Sequence, residues 1–284
     1  MSRLLQGLAA LAQELGLSLF HLAELDGEAA AALEIAAVNP CVNAYSIAKV
    51  FTMTAVGLLC DRGLLGLEEK PVDILRGACP NGMDPRWRSI TVEMAMTHRL
   101  GLPAGCLDID AADARSFGQD YLHYLMKVPL EANPGDVFRY TDAAFYLLSR
   151  VVEQRAGRHL DDFLWREILY PLGFREAAFS RCPLGHAVGA TGLYARASDI
   201  VKLGALYRDG GIWKGKRLLS INWVEMALAR RFELTPVGIG SAFGKAGMCG
   251  QMLLVIPETG RVVCWQGYES RSCDRLIQFA AEYR

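Results

Sequence analysis

A serine and a lysine three residues apart, Ser46 and Lys49, stand at the opening of an apolar stretch that runs from residue 43 to 60, NAYSIAKVFTMTAVGLLC. A serine hydroxyl is a poor nucleophile until a neighbouring base takes its proton. A lysine amine can be that base where burial or a nearby cation lowers its basicity. Apolar residues recur at helical spacing through Ile47, Val50, Phe51, Met53, Val56, Leu58 and Leu59. This period predicts a buried helix, stopped by Gly63. Positions three apart share a helix face, so Ser46 and Lys49 point the same way from the first turn. The same two residues also fit an N-cap serine and a solvated helix lysine, and their surroundings decide.

Two further segments carry candidate chemistry. Pro134-Gly-Asp-Val-Phe-Arg-Tyr140-Thr-Asp142 is a turn leading to a tyrosine and an acid just before a helix. Gly244-Lys245-Ala246-Gly247 ends a strand after the helical region.

The elements that must position these residues follow from patterning. Residues 1–12, MSRLLQGLAALA, imitate a signal peptide, but Gln6 interrupts the apolar run. Leu4, Leu5, Leu8, Leu11 and Leu15 fall at helical spacing and predict an amphipathic helix. Strands are expected over 17–23 and 31–38, with a turn near Asp26-Gly27. Helices are expected over 90–98, 119–127, 141–156, 160–169, 197–209 and 220–230. Strands return over 238–245, 251–256 and 261–267, the last two joined around Pro257-Glu-Thr-Gly260, and a helix closes the chain from about Cys273 to Tyr283. Strands at both ends with helices between argue an α+β fold. One antiparallel sheet is built from the N- and C-terminal strands and flanked by helices. A single domain is expected over 1–284, with an α/β lobe of 1–75 and 181–284 and an inserted, mostly helical lobe of 76–180.

The bulk numbers limit the function classes. The 284 residues are 52% hydrophobic and 21% charged, enough for a substantial core. A net charge of −1 gives no electrostatic reason to expect nucleic acid or an anionic membrane as partner. The eight cysteines form no C-x-x-C pair and no His/Cys metal spacing, so no metal and no cofactor is expected. Several sit in apolar runs, as reduced core thiols do in a reducing compartment. No stretch approaches the length of a membrane span. The expectation is a cytoplasmic protein whose partner is a small-molecule substrate.

Taken together and in this order, the segments resemble the serine β-lactamase and penicillin-binding family, especially its class C branch with the related esterases and DD-peptidases. Relatives carry Ser-x-x-Lys with Ser-Asp-Asn and Lys-Thr-Gly, and the class C branch has Tyr-x-Asn in the middle. ITVEMAMTHRLGLP and TGLYARASDIVKLGALYRDGGIWKGKRLLS also resemble family segments, so the resemblance spans nearly the whole chain. It implies that Ser46 is the acylated nucleophile, that Lys49, buried beside Lys245, takes or relays its proton, and that Tyr140 shuttles a proton to the leaving group. It implies an oxyanion hole from the backbone N–H groups of Ser46 and Met248, and substrate contacts at Asp142, Lys245, Ala246 and Gly247. His98 matches a family histidine outside the chemistry.

Two positions depart from that pattern. Asp142 replaces an Asn, and an ionised carboxylate accepts hydrogen bonds but donates none; it is also able to pair with Lys49 or Lys245. Ala246 replaces a Thr whose hydroxyl would bond a substrate carboxylate, an interaction of roughly 1.5–3 kcal/mol. Both changes hurt recognition of β-lactams and D-Ala-D-Ala peptides. The expectation is therefore a serine hydrolase acting on a small ester or amide, with at most weak β-lactam hydrolysis. The alternative is a non-catalytic ligand-binding or sensor protein on the same scaffold.

Overall fold

The computed structural model describes residues 2–238 and 240–284. In chain order its elements are α1 (Arg3–Glu14), β1 (Leu19–Asp26), β2 (Ala29–Glu34), β3 (Val42–Asn43), α2 (Ala48–Asp61), α3 (Pro71–Ile74), α4 (Val92–Met96), α5 (Tyr121–Lys127), α6 (Asp142–Ala156), α7 (Leu160–Leu164) and β4 (Ala177–Phe179). There follow β5 (Leu193–Ala195), α8 (Ala197–Arg208), β6 (Ile212–Trp213), β7 (Lys216–Arg217), α9 (Ile221–Ala229), β8 (Thr235–Pro236), β9 (Phe243–Gly247), β10 (Gln251–Ile256), β11 (Arg261–Gly267) and α10 (Asp274–Glu282). Met1 of the expected first helix and Ile239 of the strand expected over 238–245 lie outside the described residues.

The chain divides into two compact units. The first comprises 1–50, 167–178 and 193–284. Its centre is a six-stranded antiparallel sheet in the order β2-β1-β11-β10-β9-β8. The N-terminal hairpin thus joins the C-terminal strands through the β1–β11 pairing, Leu22 opposite Trp265. β10 is buried at all six positions, because both faces of the sheet are covered. Met252, Leu254, Ile256, Val263 and Trp265 pack with Leu4, Leu5 and Leu8 of α1 and Leu276 and Ala280 of α10. α8 packs against β1, β10 and β11. Ser2 caps α1 by accepting from Leu5 N (3.2 Å), a normal N-cap device.

The second unit comprises 51–166 and 179–192 and is mostly helical. Residues 51–75 fall in this unit. The reason is local: Val92 N–H and Glu93 N–H donate to Glu69 O and Leu67 O at 2.9 Å each, and α3 and α4 both pack on α6. α6 starts at Thr141, whose Oγ1 accepts from Ala144 N (3.2 Å). Asp142 sits in its first turn, where the helix dipole favours an acid. The helix expected over 160–169 splits into α7 and a π-helical turn over Trp165–Leu169.

Among the described residues no helix is long and apolar enough to cross a membrane. All eight thiols are free; burial pushes that of Cys60 up to about 12 and that of Cys106 up to about 11, which keeps them protonated and unreactive.

Candidate active site

Ser46 does not lie in the α-helix itself. It sits in a 3-10 turn, Tyr45–Ile47, that leads into α2 at Ala48. The approach to that turn is tightly specified. Ala44 N–H donates to Leu193 O (2.7 Å), and Tyr45 N–H donates to Asn43 Oδ1 (2.9 Å), an Asx-turn. Tyr45 then adopts φ 46°, the left-handed region that a non-glycine residue seldom enters. Strain of this sort persists only where surrounding structure over-determines it, and it clusters at functional sites.

Lys49 is fully buried, at 0% exposure, inside a segment buried without a break from Ile47 to Leu59. Its Nζ lies 3.0 Å from Ser46 Oγ. The two side chains therefore meet as the three-residue spacing requires, across the junction of a 3-10 turn and an α-helix. The solvated reading of the lysine falls. The amine is the donor in this hydrogen bond, and at this distance a proton can pass between the two groups.

β9 runs beside the turn that carries Ser46. Gly247 lies close against it: a Cβ there would meet Ala44 O at 2.6 Å and Gln251 Cβ at 2.9 Å. Only glycine fits between these backbones. Along the same strand Lys245 is partly buried and Ala246 exposed, and Met248 follows at 43% exposure. Lys245 Nζ lies 2.5 Å from Glu233 Oε2. Glu233 is 4% exposed and has φ 119°. No motif or spacing pointed to this acid, which sits between two apolar residues, Phe232-Glu233-Leu234, twelve residues before its lysine.

The second unit holds Tyr140 and Asp142. Tyr140 is 37% exposed, and its backbone is strapped to the 98–106 loop. Arg139 N–H donates to His98 O (2.9 Å), Gly105 N–H to Tyr140 O (3.1 Å), and Ala143 N–H to Cys106 O (3.1 Å). In the same loop Gly101, φ 85°, lies against the 131–132 segment, where a Cβ would meet Ala132 O at 2.4 Å. His98 is buried at 4% exposure, with φ 53°. Its ring lies 4.4 Å from that of Tyr140 and 5.2 Å from that of Phe145, and its Nδ1 accepts from Thr141 N (3.3 Å). The neutral ring thus carries its proton on Nε2. His98, taken from the sequence as a bystander, is a support for Tyr140. Asp142, 7% exposed, brings a carboxylate oxygen within 4.8 Å of those of Asp108 and Asp110, and Asp110 in turn accepts from Thr191 Oγ1. This acidic grouping was not foreseen.

An antiparallel sheet with flanking helices, a Ser-x-x-Lys pair at the head of a buried helix and a Lys-x-Gly strand beside it together define the serine β-lactamase and penicillin-binding class of fold. Residues 41–265 match the family model described as Beta-lactamase, and the chain belongs to that family. It is 27% identical over 203 residues to "Penicillin-binding protein 4" of Amycolatopsis lactamdurans, covering 62% of this chain and 53% of that protein. It is 29% identical over 124 residues to the "6-aminohexanoate-dimer hydrolase" of Paenarthrobacter ureafaciens, covering 43% of this chain and 31% of that one. These matches span about half of the first relative's length and a third of the second's. Among solved structures, "EstCE1, a hydrolase with promiscuous acyltransferase activity" superposes with a TM-score of 0.74 at 17% identity, over 99% of this chain and 97% of that one. At that identity the likeness shows the fold.

Proposed function

We propose that the protein is a serine hydrolase that cleaves a small ester or amide through an acyl-Ser46 intermediate. One observation carries this reading: a fully buried Lys49 amine lies 3.0 Å from Ser46 Oγ. Ser46 Oγ attacks the substrate carbonyl while its proton passes to unprotonated Lys49 Nζ. The backbone N–H groups of Ser46 and Met248 receive the oxyanion, and a missing donor of this kind typically costs about 3–4 kcal/mol of barrier. Tyr140, at the family's second motif, passes the proton to the leaving group. Water then releases the acid and restores the serine. Gly247 lets the substrate approach the strand.

The recognition residues favour a substrate without a carboxylate beside the scissile bond. Ala246 supplies no hydroxyl, and Glu233 places a negative charge on Lys245. β-Lactams, which carry such a carboxylate, are then poor substrates. Eight free thiols, three of them buried and five part-buried, support a reducing compartment, and the cytoplasm is proposed on that ground. The test is intact-mass measurement after treatment with a fluorophosphonate. One adduct is expected on the native chain and none on Ser46→Ala, with ester turnover lost in the same variant. A native chain that stays unmodified and turns over no ester defeats the proposal.

A further inference from the structure

We propose that the second unit holds a site for a divalent transition-metal cation, zinc or a close analogue, formed by Glu153, His159 and His186. The three come from separate pieces of chain: the last turn of α6, the residue preceding α7, and the hairpin turn between Arg181 and Ala187. Glu153 Oε1 lies 3.2 Å from His159 Nδ1, and Glu153 Oε2 lies 2.7 Å from His186 Nδ1. One nitrogen from each ring and one carboxylate oxygen all fall within 4.8 Å of one another. A tetrahedral zinc with bonds of about 2.0–2.1 Å keeps its ligand atoms roughly 3.3 Å apart. Closing the cluster onto a cation therefore asks the three side chains to draw together from within 4.8 Å.

Two imidazoles and a carboxylate are the donor set that zinc and its neighbours in the first transition row prefer. The scaffold around them is fixed independently of any ligand. Ser149 Oγ donates to Ala187 O (2.7 Å), holding the hairpin to α6 one turn before Glu153. Arg181 pairs with Asp161 at 2.6 Å, holding the same hairpin to α7. The Glu153 carboxylate, only 9% exposed, also accepts from Leu160 N (3.3 Å) and has Arg150 Nε at 3.5 Å. Such outer contacts orient a ligating carboxylate. Arg150 and Arg158 line the same cleft and oppose a cation, but each already faces an acid, Glu153 and Asp162. The cleft, about 360 Å³ in volume, leaves room for water in the remaining coordination positions. His159 is 47% exposed at its side chain, which provides an entry path. Two histidines merely hydrogen-bonded to a shared acid are the competing account.

Cobalt(II) titration of the chelator-treated full chain separates them. The expected result is one cobalt bound per chain, with visible d–d absorption and no thiolate charge-transfer band. His159→Ala and His186→Ala should each weaken binding roughly tenfold or more. Zinc should raise the melting temperature of the native chain, as any ligand of the folded state does, and leave that of the double variant unchanged. His159 is exposed enough for its variant to fold, and the titration of the native chain needs no variant at all. No cobalt absorption at large excess, a thiolate band, or equal affinity in the double variant overturns the proposal.

Discussion

Glu233 holds its Oε2 2.5 Å from the Nζ of Lys245, from a backbone position at φ 119°. A non-glycine residue in such a conformation costs on the order of 1–3 kcal/mol, and a buried carboxylate is costly unless paired. Both costs are met at the one place where the acid reaches the lysine of the Lys-x-Gly strand. The pairing is thus over-determined, and its consequence is electrostatic: the cation that would greet a substrate carboxylate already has an anion on it.

Glu233→Gln tests that consequence. The amide still accepts from Lys245, so the ammonium stays in place while the competing charge is removed. A charged hydrogen bond contributes roughly 1.5–3 kcal/mol. The ratio of kcat/KM for a carboxylate-bearing ester to that for its methyl ester should therefore rise about tenfold or more. Parallel steady-state assays with the two esters read this ratio. A ratio that does not move means that the pair is purely structural.

His98→Asn addresses the support beneath Tyr140. Asn tolerates the positive φ of this position and keeps an acceptor for Thr141 N–H, but removes the ring that lies 4.4 Å from the phenol. Displacing a reacting group by an ångström lowers turnover by up to about 100-fold. With Tyr140 in its proposed role, the expected outcome is a kcat lower by roughly 10–100-fold at little-changed KM. An equal loss in Tyr140→Phe and the double variant, measured as a cycle, would tie the two residues together. Full additivity would refute the link.

The legible parts of this chain are those with a long period or a local rule. β10 and β11 fall at the expected bounds on either side of the turn Pro257-Glu-Thr-Gly260, and α6 and α8 lie within a residue of their expected bounds. Ser46 and Lys49 meet because their spacing is local. β3, β5 and β8 were invisible because two- and three-residue strands have no period to read. Ser46 falls in a 3-10 turn because the Asx-turn at Asn43 and the left-handed Tyr45 re-aim the chain, which helical spacing alone does not encode. Glu233 and the Asp108–Asp110–Asp142 grouping depend on chain returning from elsewhere, and no spacing announces them.

Glu269 makes the sheet end acid-sensitive. Its carboxylate accepts from Arg271 Nε (2.9 Å), Arg271 N (2.8 Å) and Ser18 N (2.9 Å) and pairs with Arg271 Nη2 at 2.7 Å. The Arg271 guanidinium, then the two backbone donors, hold this carboxyl well below the usual range. The folded pKa is depressed relative to an unfolded value of about 4.3. Its stabilisation is therefore fully present above that value and is lost as pH falls towards the folded one. Glu269 N–H also donates to Cys249 O (3.0 Å), tying the segment after β11 to the turn that carries Met248. Denaturation midpoints should fall on acidification below about pH 4, and Glu269→Gln should be less stable than the native chain at neutral pH, with the gap narrowing towards about pH 3. Because the clamp grips the Met248 turn, ester turnover in the variant should drop before global unfolding does, as circular dichroism and activity read on the same samples would show. A gap between variant and native chain that stays constant with pH would mean that Glu269 contributes through packing, and the electrostatic account of the clamp would fail.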